Sequence, residues 1–178
     1  MEFKTYQQAI AFHGHSCPGL AIGYKMTTAA LSKLSADRAL DEELVAIVEN
    51  DACGCDAVQF ISGCTFGKGN FIFRDLGKSV YTFFSRATSK GVRVVFHGNK
   101  CPQEIRDDRE SFENWILTEP ADDMLSIETV EIQTPPHARI HNSINCENCS
   151  ERTMETRIKI LDNKQLCFDC FDKLIAVR

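Results

Sequence analysis

Several features are missing from this sequence, and each absence excludes a class of protein. No apolar run approaches the ~20 residues that a membrane-spanning helix needs, and the N-terminus lacks the basic and then apolar layout of a secretory signal peptide. Positive charge is not in excess: 20 Lys and Arg stand against 25 Asp and Glu, a net charge of −5 at pH 7. The whole chain therefore has no electrostatic footprint for nucleic acid. We expect a cytoplasmic protein that does not enter a membrane, and for which a local basic patch is the remaining route to nucleic acid.

The length and composition are those of an ordinary globular protein, and only the cysteine content stands out. Of 178 residues, 43% are apolar and 25% are charged, so disorder is not indicated. A chain of this length can bury one good core and leaves room for a small second unit. The nine cysteines are an odd number, and four of them form two CxxC pairs. This usage fits a reduced protein that holds metal better than a secreted disulfide scaffold.

The two CxxC pairs near the C-terminus form the most specific signal. Cys146 and Cys149 are followed, beyond residues 150–166, by Cys167 and Cys170. Two such knuckles supply four thiolates to one tetrahedral zinc ion, and a closed four-sulfur site is structural rather than catalytic. The residues between the knuckles alternate as a hairpin with a turn at 162–163, and a terminal helix follows, which predicts a treble-clef-like finger. A segment of ~40 residues needs the metal to stay folded.

A second group of metal-ligating residue types stands near the N-terminus, in HGHSCPGL at residues 13–20. Pro18 suits the first turn of a helix, so Cys17 is expected at a helix N-terminus, where free N–H groups and the dipole favour its thiolate. His15 stands two residues earlier, within reach of the same point. The alternative is that Cys17 packs as a cap and the histidines are satisfied in the core. The combined His-x-His-x-Cys-Pro pattern favours a site.

Residues 49–70 contain more thiols and glycines than a connecting loop requires. The stretch ENDACGCDAVQFISGCTFGKGN places three thiols and four glycines between two apolar runs, and loops held by rigid elements often carry sites. Part of it, GCTFGK, is superficially like a P-loop, but Gly69 stands where a P-loop needs Ser or Thr for magnesium, so we reject that interpretation. Lys68 is either a cation that lines the site or a solvated surface lysine.

The order of elements predicts an α+β fold. Helices are predicted at 5–12, 20–34, 56–61 and 107–117, and strands at 44–48, 71–74, 79–85, 92–97 and 125–132. Helices that come first, with strands in succession later, favour α+β over a regular βαβ array. Two prolines at 135 and 136 stiffen the chain as a linker would. We therefore predict a core domain at 1–134 and a linker with the finger at 135–178.

These motifs resemble the signature of the FmdE family, which is named after formylmethanofuran dehydrogenase. The resemblance rests on HGHSCPGL (13–20), ENDAC (49–53), DAVQ (56–59) and GCTFGKGN (63–70). It spans residue 12 to about residue 95 and resumes at Pro135. The C-terminal finger is similar to those of the DksA/TraR type, except that Ser150 replaces their usual glycine after the second cysteine.

The resemblance implies an α+β core, somewhat thioredoxin-like, with a mixed sheet flanked by helices and a tendency to form homodimers. It also implies a metal-capable core site, because four residues that can bind a metal match motif positions: His15, Cys17, Cys53 and Cys64. Cys55 falls where relatives commonly carry an apolar residue and is left out of the site. Cys101 lies outside the motifs and is expected to pack.

Three functions remain open. The first is a metal-binding accessory protein of anaerobic one-carbon metabolism, linked to the molybdenum or tungsten formylmethanofuran dehydrogenase, whose finger docks a protein partner. The second is a stand-alone enzyme that uses Cys17 as nucleophile or a core zinc with an open position. The third is a regulatory adaptor whose finger touches nucleic acid or polymerase, although the finger's acidic residues nearly cancel its basic ones. No molybdopterin-binding segment or ferredoxin cysteine array is present, so the chain is not the catalytic redox component of that dehydrogenase by itself.

For the core site we expect His15, Cys17 and Cys53 to converge on one point, with Cys64 as a fourth ligand or a reactive neighbour. Cys53 is expected at the end of the buried strand 44–48, against the helix that Cys17 begins. Thiolates with an imidazole suit zinc or another borderline-soft metal, and three strong ligands leave a position for water or substrate. The core and the finger are expected to be separable at the two prolines.

Overall fold

The computed structural model describes residues 3–176. The chain divides into two compact units, Met1–Ala138 and Arg139–Arg178, which are described separately. Within the described residues, no helix is long and apolar enough to cross a membrane.

Five strands form one mixed sheet in the first unit. They are β1 (Leu44–Val48), β2 (Phe71–Phe73), β3 (Val80–Ser85), β4 (Lys90–Phe96) and β5 (Leu125–Val130). Their order is β2-β1-β3-β4-β5, with β1 and β2 parallel and the other neighbours antiparallel. All five residues of β1 are buried, as expected for a central strand with a continuous apolar sequence. The predicted α+β class with a mixed sheet is confirmed.

Five helices belong to this unit, and several of their ends carry clear capping contacts. They are α1 (Tyr6–His13), α2 (Pro18–Leu34), α3 (Gly54–Ser62), α4 (Gln103–Asp107) and α5 (Arg109–Thr118), with a 3-10 turn at Ala121–Asp123. Thr5 and Gln8 form a capping box at the start of α1. Gly14 and Gly63 end α1 and α3 in the left-handed region, with φ of 99° and 73°. The helix predicted at 107–117 corresponds to α5, which begins after the extended Asp108 because the Asp108 side chain accepts the Ser111 N–H; the short α4 before it was not predicted.

The main core lies between α2 and one face of the sheet. Ala21, Met26 and Leu31 of α2 are fully buried in the same cluster as Phe83 and Val94 of the sheet. Helices α3 and α5 pack against the flanks of α2. Because α3 connects the parallel strands β1 and β2, its N-terminus is held beside the N-terminal half of α2.

The segment 135–138 belongs with the first unit, so the structural boundary falls four residues later than the predicted one. The guanidinium of Arg86 donates to the carbonyls of Pro135 and Pro136, at 2.6 and 2.9 Å. Glu42 accepts a hydrogen bond from the Ala138 N–H at 3.0 Å. The two prolines are therefore tied to the core instead of forming a free linker.

The second unit has the order of elements predicted for a treble-clef-like finger. It contains β6 (Ser143–Asn145), β7 (Arg152–Met154), β8 (Ile158–Leu161), β9 (Lys164–Cys167) and α6 (Phe168–Ala176), with a 3-10 turn at Glu155–Arg157. β6 pairs with β7 and β8 with β9, both antiparallel. The β8–β9 turn is Asp162-Asn163, with φ of 49° and 62°, as a two-residue type I′ hairpin requires.

Candidate metal centres

The four finger cysteines are brought to one point by the two hairpins and the last helix. Cys146 follows β6, Cys167 ends β9 and Cys170 lies in the first turn of α6. One sulfur from each of them and from Cys149 lies within 4.8 Å of all the others. Four sulfurs at this spacing can surround a single tetrahedral ion.

Backbone and amide N–H groups point at two of these sulfurs. The Cys167 N–H donates to Cys146 Sγ at 3.3 Å, and the Asn148 side-chain amide donates to Cys170 Sγ at the same distance. Hydrogen bonds from the Cys149 and Cys167 backbone lower the pKa of Cys146 to about 6. Such donors favour the thiolate form that a metal requires.

The chemistry of the finger fits a bound metal because little else holds this unit together. Its buried cluster contains only Leu166 and the cysteines 146 and 170 among the described residues, with Leu161 and Phe171 packed against them. Apolar burial on this scale is too small to stabilise a unit of this size. The four-cysteine cluster is therefore able to hold a metal ion.

In the first unit, the structure brings together His13, His15 and Cys17. One ligand atom from each lies within 4.8 Å of the other two. Helix α1 ends at His13, and the left-handed Gly14 reverses the chain, so the two imidazole rings lie 4.5 Å apart between centroids. Cys17 is the N-cap of α2, and its Sγ accepts the Leu20 N–H at 3.3 Å. The predicted position of Cys17 at the start of the long helix is the one observed.

Asp56, in the first turn of α3, orients this cluster. Its carboxylate lies 2.7 Å from His13 Nδ1, while His13 Nε2 lies 3.9 Å from Cys17 Sγ. With the proton on Nδ1, the lone pair of Nε2 faces the sulfur and is available to a metal. A carboxylate behind a ligating histidine is the usual arrangement in protein metal sites.

Cys53 lies beside Cys17, across Gly19. The position that a Cβ on Gly19 would occupy is 3.9 Å from the sulfurs of both cysteines and 3.2 Å from Cys53 Cβ. Burial raises the pKa of the Cys53 thiol, and the neighbouring Cys17 thiol raises it further. Cys53 is thus next to the cluster, although it is not among the three closest ligands.

This approach depends on two glycines at the crossing of α2 and α3. A Cβ on Gly23 would overlap the backbone of Gly54, and a Cβ on Gly54 would overlap the Tyr81 hydroxyl. The helices can therefore cross in close contact. The corner predicted between a strand end and a helix N-terminus is instead formed where α2 and α3 begin.

Cys64 does not belong to this cluster, which corrects the expectation that it stands near Cys17. Cys53 precedes α3 and Cys64 follows it, so a helix of about 13 Å separates them at ~1.5 Å per residue. Cys64 is fully buried in the main core and donates its S–H to the Leu44 carbonyl at 3.4 Å. Burial raises its pKa to about 11, as expected of a packed thiol.

His13 is the cluster residue that was not among the predicted ligands. The sequence feature that could have identified His13 as a ligand is its position four residues before Cys17, next to a glycine that ends a helix. Neither Lys68 nor Cys55 is a ligand of this cluster. Lys68 donates to the carbonyls of Leu40 and Asp41, both at 3.2 Å, and Cys55 donates to the Asn50 carbonyl at 3.0 Å.

A polar network lies beside the core cluster. The Tyr6 hydroxyl donates to Glu113 at 3.0 Å, and Ser16 donates to the same carboxylate. Burial is the main reason that the pKa of Tyr6 is raised to about 12. Ser16 and Glu113 line an open cavity of about 590 Å³ along α5, so an open space adjoins the loop that carries His15 and Cys17.

The fold and these two clusters define a class: an α+β core with an imidazole–thiol cluster, followed by a four-cysteine finger. The chain matches the family described as "FmdE, Molybdenum formylmethanofuran dehydrogenase operon" over residues 12–145 and belongs to that family. The match ends one residue before Cys146, so it covers the core and not the finger cysteines.

Two relatives show how far the similarity extends. A solved tungsten formylmethanofuran dehydrogenase FmdE-like protein from Syntrophus aciditrophicus is similar with a TM-score of 0.73 and 25% identity, covering 97% of this chain and 98% of that one. A "Probable S-adenosyl-L-methionine-binding protein" of Archaeoglobus fulgidus is 31% identical over 96% of this chain. The chain spans only 53% of that relative's length.

Proposed function

We propose that this protein is a metal-handling accessory protein linked to molybdenum or tungsten formylmethanofuran dehydrogenase or to related anaerobic one-carbon metabolism. In this proposal the core cluster holds or delivers a transition-metal ion, and the finger holds a structural zinc. The link to the dehydrogenase is supported by family membership.

The observation that carries the proposal is the convergence of His13, His15 and Cys17 with Asp56 behind His13. Two imidazoles and a thiolate suit zinc or another borderline-soft ion. Such a set leaves one position of a tetrahedral ion for Cys53, for water or for an acceptor. Bound there, a metal ion would supply Lewis acidity or would itself be the cargo. Asp56 would fix the ring of His13, and the Leu20 N–H would stabilise the Cys17 thiolate.

Metal analysis of the full chain tests the core site. Wild type purified without oxygen is expected to hold metal in both clusters, whereas Cys17→Ser should hold it only in the finger. Cys55→Ser is the matched control, because its thiol lies near the site but donates to a backbone carbonyl. Equal metal content in wild type and Cys17→Ser would overturn the core site and leave the finger zinc standing.

A thiol-dependent enzyme is the second candidate, and one observation favours it. Asp56, His13 and Cys17 lie in the order carboxylate, imidazole, thiol, at 2.7 and 3.9 Å, with the thiol at a helix N-terminus. This is the arrangement of an activated cysteine nucleophile. Stoichiometric alkylation of Cys17 by iodoacetamide in metal-free protein, slowed in His13→Ala, would support it. Alkylation that is slow and indifferent to His13 would remove it.

For partners, we propose a homodimer and a protein docked by the finger. The finger exposes several large apolar side chains: Met154, Ile160, Phe168, Leu174 and Ile175. Its basic residues are largely balanced by acidic ones, which favours protein over nucleic acid. Co-elution with the purified dehydrogenase tests the partner, and sedimentation of the protein alone tests the dimer. Salt-sensitive retention of DNA or RNA on a filter would favour the adaptor hypothesis instead.

A further inference from the structure

Cys17 and Cys53 are neighbouring thiols in the core. They belong to one buried cluster, with Leu20 and Ala57 around them. No side chain stands between them, because the residue at that position is Gly19. A Cβ added to Gly19 would lie 3.9 Å from both sulfurs. Cys17 is the N-cap of α2 and Cys53 is the N-cap of α3, so the two helix starts bring the thiols together.

The two thiols differ in exposure, as the members of a redox pair commonly do. Cys17 is 3% exposed, whereas Cys53 is half-buried and can be reached by a small oxidant. Each of the other core thiols is engaged in a hydrogen bond to a backbone carbonyl. Cys55 donates to Asn50, and the buried Cys64 and Cys101 donate to Leu44 and Pro102. In the core, an oxidant should therefore react with Cys17 and Cys53 before the other thiols.

We propose that Cys17 and Cys53 form a reversible disulfide when the protein meets a peroxide. Cys53 attacks the peroxide as its thiolate, the O–O bond breaks, and the hydroxide that leaves takes up the thiol proton, so that a sulfenic acid and one water are formed. Cys17 then attacks the Cys53 sulfur as its thiolate, the S–S bond forms, the S–O bond breaks, and the second hydroxide leaves as water with the proton of the Cys17 thiol. Two thiols are oxidised by two electrons, and hydrogen peroxide is reduced to water. A small-molecule dithiol reverses the step by exchange.

This disulfide would remove the only sulfur among the three closest core ligands. A thiolate committed to an S–S bond no longer binds a metal as a thiolate, and the two histidines alone are a weak site. The core would then release its ion under oxidation and regain it after reduction. This consequence for the metal rests on the function proposed above, whereas the disulfide itself does not.

The test is a peroxide titration of the full chain followed by peptide mapping. We expect a Cys17–Cys53 linked peptide to appear at peroxide levels that leave Cys64 and Cys101 reduced. The linked peptide should disappear with dithiothreitol. Metal analysis of the same samples should show loss of the core ion in step with the linkage. Cys53→Ser should form no such link, and Cys55→Ser should behave as wild type.

The redox pair and the core metal site can fail independently in this experiment. A linked peptide in protein that never held core metal would support the redox pair and overturn the metal site. Core metal that is retained while no Cys17–Cys53 link forms, or over-oxidation of Cys53 without a disulfide, would overturn the redox pair and leave the metal site intact. A link between Cys53 and Cys55 instead would also contradict it.

Discussion

At the scale of single residues, His13 and Asp56 decide what the core cluster can do. A histidine alone has two tautomers, and only one of them directs a lone pair toward Cys17. Asp56 accepts the hydrogen bond from Nδ1 at 2.7 Å and so selects the tautomer whose Nε2 faces the sulfur. Asp56 is thus a positioning residue that acts through His13.

Replacing Asp56 with Asn should therefore weaken core metal binding without removing a ligand. We expect the affinity to fall by about 10- to 100-fold, the usual effect of losing a carboxylate behind a ligating histidine. Competition with a chromophoric chelator measures it. Asp51→Asn, an exposed carboxylate nearby, is the control and should leave the affinity unchanged. An unchanged affinity in Asp56→Asn would mean that the charge of the Asp56 carboxylate does not matter to the His13 ring.

Ser150 is a second residue whose substitution should change the stability of the finger. It follows Cys149 with φ of 66°, and its N–H donates to the Cys146 carbonyl at 2.8 Å. A side chain in this left-handed region is strained, and glycine is not.

We expect Ser150→Gly to stabilise the metal-loaded finger by about 0.5–1 kcal/mol. The midpoint of urea unfolding, followed by the loss of a cobalt–thiolate absorption band, measures this. Ser143→Gly is the matched control and should destabilise, because Ser143 lies in extended β6. A destabilised Ser150→Gly would show that the serine side chain contributes more than its strain.

At the scale of elements, the crossing of α2 and α3 builds the core site. Both helix N-termini face the cluster, and Cys17 and Cys53 are their N-cap residues. The crossing is close because Gly23 and Gly54 have no side chains to separate the two backbones.

Gly23→Ala should push the two helices apart. We expect the core to lose about 1–3 kcal/mol of unfolding free energy, the usual effect of overpacking, and Cys53 to move away from Cys17. Thermal unfolding measures the first effect, and the yield of the Cys17–Cys53 linked peptide measures the second. Gly67→Ala is the control, since nothing lies within 4 Å of its added Cβ. Full stability in Gly23→Ala would contradict the close crossing.

At the scale of the whole molecule, the two units are stabilised differently. The core has an extensive apolar cluster between α2 and the sheet, whereas the described part of the finger has one buried leucine and its cysteines. Metal removal should therefore unfold the finger and leave the core folded.

Chelation is expected to unfold residues from about 144 onward and to spare the core, as amide hydrogen exchange would show segment by segment. A chain ended after Ala138 should fold by itself. A chain ended at residue 134 should be less stable, because it loses the carbonyl partners of Arg86. An insoluble, unfolded 1–138 chain would show that the core depends on the finger.

By itself, the sequence determined the features that local rules control. The apolar run of β1, the cap and proline at the start of α2, and the spacing of the two CxxC pairs each act over a few residues. They were therefore sufficient to predict the α+β class, the helix that Cys17 begins and the four-cysteine finger. Family membership likewise could be predicted from short motifs.

Only the tertiary structure decided which ligands meet in the core. Cys53 and Cys64 stand in one motif-rich stretch, but the rise of α3 carries Cys64 to the other end of the helix and into the core. His13 enters because Gly14 takes a left-handed turn and because Asp56, 43 residues away in sequence, reaches its ring. The path of the two prolines likewise depended on Arg86, 49 residues before Pro135. Contacts over such separations arise from packing, which sequence spacing does not encode.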